Sequence, residues 1–158
     1  GLGSNGTPSN ADWRAEGAPP GWSYWERNPG AGRLRWVSEA GGRCVTLTAV
    51  KGACYLQNVP VSPGAVYFAL ADWRGRMGPA SKATLTLSWK DAAGAWLDAS
   101  RRTTDLPKGS VSGWRTTAVA GRAPAGAAAA VVMLFADDQS DADTVAFSNV
   151  RMHQGAPE

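Results

Sequence analysis

Polar and apolar residues alternate one by one through most of this chain, the period of extended strands whose two faces meet different surroundings. The clearest run is Ala83–Lys90, where Leu85, Leu87 and Trp89 share one face and Thr84, Thr86, Ser88 and Lys90 the other. Val66–Arg74 divides Tyr67, Ala69, Ala71 and Trp73 from Phe68, Leu70, Asp72 and Arg74. Arg43–Thr48 sets Cys44, Thr46 and Thr48 against Val45 and Leu47. Further strands are predicted over Arg33–Val37, Ala53–Val61, Trp96–Ser100, Trp114–Ala120, Ala128–Ala136 and Thr144–Met152. Turn residues separate them, among them Ser62-Pro63-Gly64, Asp91-Ala92-Ala93-Gly94 and Ala123-Pro124-Ala125-Gly126. Helical periodicity is poor almost everywhere. About eight or nine strands without crossover helices predict an all-β fold, an antiparallel β-sandwich of two sheets.

The chain is long enough for one domain with its own core, expected over residues 11–153. Residues 1–10 form a polar, Gly-rich lead-in, and 154–158 a tail. No apolar stretch reaches membrane-spanning length, so no membrane is expected as a partner. The charge is +3, from 16 Lys and Arg against 13 Asp and Glu, which is mild. With no basic helix and no zinc-finger spacing, nucleic acid is not expected either. A monomer is expected.

Cys44 and Cys54 are the two cysteines. A hairpin centred near Ala49 would set them opposite one another, within disulfide reach; the alternative is two small buried thiols that never meet. The disulfide is the favoured reading, and it points to an oxidising compartment, secreted or at the cell surface.

Tryptophan changes the picture most. Eight in 158 residues is more than a small core absorbs without exposing some. An exposed indole offers a flat apolar face that suits a sugar ring or a protein side chain. Catalytic patterns are missing. There is no Gly-x-Ser-x-Gly, the one histidine is His153 near the tail, and Glu16, Glu26 and Glu39 all lie in the loop-rich first quarter. The acidic stretch Asp137–Asp143 lacks the Gly and terminal Glu of an EF-hand loop and reads as a solvated connection.

The order of these signals resembles the jelly-roll carbohydrate-binding modules of the galactose-binding-domain-like type, often attached to bacterial glycoside hydrolases and polysaccharide lyases. The residues that carry it are Gly21-Trp22, then Gln57-Asn58-Val59-Pro60-Val61-Ser62-Pro63-Gly64 leading to Tyr67, then Trp73-Arg74-Gly75. Leu87-Ser88-Trp89-Lys90-Asp91 with Gly94, Trp114, Ala123-Pro124-Ala125-Gly126-Ala127 and Val145–Met152 complete it, over nearly the whole chain. The resemblance implies a jelly-roll sandwich and one structural calcium, held by the N-terminal strand and an acidic pair in the last strand. Here Ser148-Asn149 stands in place of that pair, leaving Asn10, Asp12 and Asn149 as the candidate ligands.

For a sugar, Trp73-Arg74-Gly75-Arg76 with Asp72 is the most suggestive cluster, since arginine is a bidentate donor for carboxylate or sulfate. Trp25, Trp36 and Gln57 join it as candidate ligand residues. Trp22, Trp89 and Trp114 read as core, Trp96 as a half-covered edge residue and Trp13 as a cap on the sandwich. The expected function is a non-catalytic module that binds a polysaccharide or oligosaccharide and targets a catalytic domain of the same full-length chain. The alternative is a structural or protein-interaction sandwich without sugar binding.

Overall fold

The computed structural model describes residues 10–18, 21–39 and 42–155. Within them the chain runs β1 (Asn10–Asp12), α1 (Trp13–Glu16), β2 (Trp22–Glu26), β3 (Arg33–Glu39), β4 (Gly42–Thr48) and β5 (Ala53–Pro60). It continues β6 (Val66–Met77), β7 (Lys82–Asp91), a 3₁₀ turn at Asp98–Ser100, β8 (Arg102–Asp105), β9 (Gly109–Arg122), β10 (Ala127–Asp137) and β11 (Thr144–Gln154). Six strands form one sheet in the order β1-β3-β4-β11-β6-β9, and five form the other in the order β2-β5-β10-β7-β8. Every strand pairing is antiparallel. This is the β-sandwich that the alternation predicts.

The alternating faces fall as read. Leu85, Leu87 and Trp89 enter the core from the five-stranded sheet, as do Tyr67, Ala69, Ala71 and Trp73 from the six-stranded one. Trp36, Val45, Phe147 and Trp73 make one cross-strand row on the inner side of the six-stranded sheet. Facing inward from the other sheet is the row Tyr55, Leu134 and Leu85. The Tyr55 hydroxyl crosses the core and donates to the Thr46 carbonyl at 2.8 Å, tying the two sheets together. Burial pushes that phenol well above its usual range, so it remains a donor.

Two strands escape the pattern. β1 starts at Asn10, the last residue of what reads as a lead-in, and β2 is a five-residue edge strand that pairs only with β5. Trp96–Ser100 is not a strand. One bridge, Lys90 to Trp96, precedes the 3₁₀ turn, and the returning strand is β8. Asp12 caps α1 by accepting from the Arg14 amide at 2.9 Å. That short turn drives Trp13 into the interior, 4.1 Å from the Tyr55 ring, so Trp13 is core and not a lid.

The expected hairpin between the cysteines does not form. β4 belongs to the six-stranded sheet and β5 to the five-stranded one, and Ala49 and Gly52, both at positive φ, turn the chain from one to the other. Cys44 alternates with inward-facing Val45 and Leu47, and Cys54 with inward-facing Ala53 and Tyr55, so each thiol points away from the core on its own sheet. Packed sheets stand ~10 Å apart, beyond the reach of an S–S bond even without that opposition. Both thiols are buried, and they form no disulfide with one another. The inference to an oxidising compartment loses its premise with the disulfide.

The acidic connection between β10 and β11 is also not simply solvated. Gln139 is buried, accepting from the Val50 amide at 2.9 Å and donating to the Leu47 carbonyl at 3.2 Å. Asp143 is buried too. It accepts from the amides of Gly78 at 3.0 Å and Ser140 at 2.9 Å, and from Arg76 Nη1 at 2.8 Å. Burial alone would raise the Asp143 carboxyl, but these donors hold it below the ordinary carboxylate value. This loop braces the crossover from β4 to β5.

Candidate functional site

Outward residues of the five-stranded sheet line up in register across all five strands. One row is Trp25, Cys54, Phe135, Thr84 and Asp105, and the next is Ser23, Leu56, Met133, Thr86 and Thr103. A groove of about 300 Å³ crosses these rows. Phe135, Met133, Thr84 and Thr86 line it across the middle strands, with Trp25 towards one edge and Thr103 and Arg101 towards the other; Arg27 and Lys82 complete it. Cys54 lies between Trp25 and Phe135 in the first row but is buried and does not line the groove. Burial raises its thiol to about 12, so it stays neutral.

Trp25 remains 47% exposed although it belongs to a strand, because β2 is an edge and its alternation points the indole outward. The threonines form a chain of hydroxyls, Thr84 to Thr86 at 3.2 Å and Thr86 to Thr103 at 3.1 Å. Arg101 is fixed over the sheet: Nε donates to Ser88 Oγ at 3.0 Å, and Nη2 contacts Met133 Sδ at 3.8 Å. Arg27 donates from Nη1 to Asp137 Oδ2 at 2.8 Å. A second exposed tryptophan shares this face. Trp96 stands directly opposite Lys90, whose ammonium lies 4.5 Å from the ring centroid, six positions along β7 from Thr84. At ~3.4 Å per residue it is about 20 Å from the groove's central row.

Of the ligand residues expected from sequence, Trp25 alone lines the groove. Trp36 and Trp73 are 1% and 3% exposed, consecutive strand alternation having turned both inward to the same core row. Gln57 pairs with Trp22 and Val132 on the inner side of β5 and is only partly exposed. Asp72, Arg74 and Arg76 lie on the opposite side of the sandwich, outward from β6. There Asp72 accepts from Thr116 Oγ1 at 2.8 Å, from Asn149 Nδ2 at 3.2 Å and from Arg151 at 3.4 Å. Its burial raises the carboxyl, and those donors together bring it below the ordinary value. Arg74 stacks on Trp114, its guanidinium carbon 4.5 Å from the ring centroid. Arg76 is bound to Asp143.

Trp114 itself corrects an expectation, being 37% exposed where it reads as core. Between the pairs Trp73–Arg115 and Gly75–Val111, β9 places Ser112, Gly113 and Trp114 against the single residue Arg74. Such a bulge breaks the alternation on which the expectation rests. Gly75 permits the tight packing there, since a Cβ would come within 2.2 Å of the Thr144 carbonyl oxygen.

The donor set expected for calcium does not assemble. Asp12 caps α1, and Asn149 bonds Asp72 from the bulge in β11. β1 and β11 are three strand steps apart, ~14 Å at ~4.8 Å per step, whereas calcium holds its oxygens at about 2.3–2.6 Å. The Asn10 side chain lies outside the described residues. Among the described residues, no group of three or more His, Cys, Asp or Glu could hold a metal ion.

No protein-family model matches the sequence, and no curated protein matches it. Solved structures do match by shape. A family 16 carbohydrate-binding module aligns at a TM-score of 0.62 with 19% identity, over 97% of this chain and 99% of that one. The family 22 xylan-binding domain of Paenibacillus barcinonensis Xyn10C aligns at 0.56 with 18% identity, over 92% of this chain and 98% of that one. The enzymatically active domain of bacteriophage CBA120 tailspike protein 4 aligns at 0.68 with 16% identity. That match covers 85% of this chain and only 19% of the tailspike chain. These similarities establish a shared β-sandwich fold.

Proposed function

We propose that the chain is a non-catalytic carbohydrate-binding module that holds a polysaccharide in the groove across its five-stranded sheet. One observation carries this reading: an exposed indole, Trp25, borders a groove that also presents threonine hydroxyls and a fixed guanidinium. An indole stacks on the apolar face of a sugar ring while neighbouring polar groups bond its hydroxyls. A flat apolar patch would suit a protein partner instead; this surface is grooved, and six of its nine lining residues are polar or charged. The groove reaches towards both edge strands, β2 and β8, which suits a strand of polymer more than a single sugar.

The shape neighbours support the reading, since solved structures of this fold include a xylan-binding domain and a module in complex with β-1,4-galactotriose. Catalysis is not expected of the groove. Among the described residues no carboxylate lines it, and glycoside hydrolysis requires two. Such a module would serve by concentrating a catalytic domain of the same full-length chain on its polymer, outside the cell. Electrophoresis through gels containing polysaccharide tests the reading. The protein should be retarded by at least one polymer, and Trp25→Ala should migrate as in an empty gel. A folded protein retarded by none would contradict it.

A further inference from the structure

The charges lining the groove are all positive. They are Arg27, Lys82 and Arg101, and among the described residues no Asn, Gln, Asp or Glu lines the groove to read neutral hydroxyls. Arg27 is held by Asp137, the carboxylate next to Lys82 across the strand pair. Asp105, opposite Thr84 on edge strand β8, does not line the groove. Lys82 makes no ion pair and Arg101 meets no carboxylate among the described residues. Arg101 is nevertheless held in place through Ser88 and Met133, with its Nη1 hydrogens uncommitted. The three lining threonines form one hydroxyl chain, Thr84 to Thr86 to Thr103, which uses two of their three hydroxyl hydrogens.

Resting on the saccharide reading above, we propose that the groove selects an anionic polysaccharide, a polyuronate whose ring carboxylates meet Arg101 and Lys82 while a ring face lies on Trp25. A planar carboxylate matches the flat guanidinium fork, and hydrogen bonds between ionised groups are about twice as strong as neutral ones. In a uronate the carboxyl is bonded directly to the ring, so stacking on Trp25 also fixes where the charge falls. Two cations at separate points of one groove suit a polymer that repeats its charge from ring to ring.

Calorimetric titration tests this at low salt and in EDTA, with oligogalacturonate, a sulfated dextran, xylan and mannan as ligands. Wild type, Trp25→Ala, Arg101→Gln and Lys82→Gln are compared, each first checked by thermal unfolding; Lys82 is exposed, so its variant leaves the packing intact. Oligogalacturonate should bind saturably, more weakly as salt rises. Its Kd should rise about tenfold or more in each charge variant, and binding should vanish in Trp25→Ala. Sulfated dextran bound as tightly as oligogalacturonate would overturn the carboxylate assignment. Binding of xylan or mannan that needs Trp25 but ignores both charge variants would overturn the proposal and leave the saccharide reading standing. No binding by any folded form would overturn both.

Discussion

On the six-stranded face of the sandwich, Trp114 lies beneath the Arg74 guanidinium, Arg151 pairs with Asp72, and Arg76 pairs with Asp143. On the five-stranded face, Trp25 borders a groove whose Arg101 and Lys82 meet no carboxylate among the described residues. Both faces thus carry an exposed tryptophan and several cations. On the five-stranded face too, Arg27 pairs with Asp137 and Lys90 covers Trp96; the difference is that Arg101 and Lys82 there are not so engaged. A cation stacked on an indole or bound to a carboxylate has less to gain from a ligand, because that ligand must replace a contact and not merely displace water. Concavity does not separate the faces, since a groove over Thr46, Ala146 and Arg74 also marks the six-stranded one.

Substitutions can break this comparison, and the largest effects are expected away from either face. Trp73→Ala empties part of the inward row Trp36–Val45–Phe147–Trp73 and should cost about 3–5 kcal/mol in urea unfolding. A ligand residue would instead leave stability nearly unchanged. Asp143→Asn, which removes the charge that Arg76 and two amides address, should cost about 1–3 kcal/mol. The pH dependence has a fixed sign. The folded carboxyl lies below its unfolded value of about 3.9, so its contribution is full above that value and is lost as pH falls through the lower folded one. Stability curves of wild type and Asp143→Asn should therefore converge in strong acid, below about pH 3.9; curves that stay parallel would deny the carboxylate this role.

Tyr55→Phe keeps the ring against Trp13 and removes the bond to the Thr46 carbonyl, for an expected loss of about 1 kcal/mol. The smallest effect is expected from reductant. With Cys44 and Cys54 on opposite outer sides of the sandwich, dithiothreitol should leave Tm unchanged, and thiol reagents should label both cysteines only after unfolding. A Tm several degrees lower in reductant would restore the disulfide.

Alternation alone reveals which residues of β6 and β7 turn inward, because both strands are long and central and each face has one kind of neighbour. It does not reveal which outward face is used. Thr84, Thr86 and Ser88 are visible in the sequence as a polar face, but Trp25 and Phe135 join them only through pairing of β2, β5, β10 and β7 across long chain separations, and Arg101 through the return into β8. The cluster Asp72-Trp73-Arg74-Gly75-Arg76 misleads for the same reason. Neighbours in sequence on a strand point to opposite sides, so Trp73 is separated from Asp72 and Arg74, which adjoin it. Trp114 is misplaced by a bulge, and the cysteine hairpin by a crossover between sheets; neither has a sequence signal as strong as the alternation it interrupts.

The most direct measurement is a calorimetric titration of Trp25→Ala and Trp114→Ala with whichever polysaccharide the wild type binds. Both indoles are exposed, so both variants should stay folded. Binding lost in Trp25→Ala and unchanged in Trp114→Ala is the expected result and places the ligand on the five-stranded face. Binding lost in Trp114→Ala and kept in Trp25→Ala would contradict it and move the site to the opposite sheet.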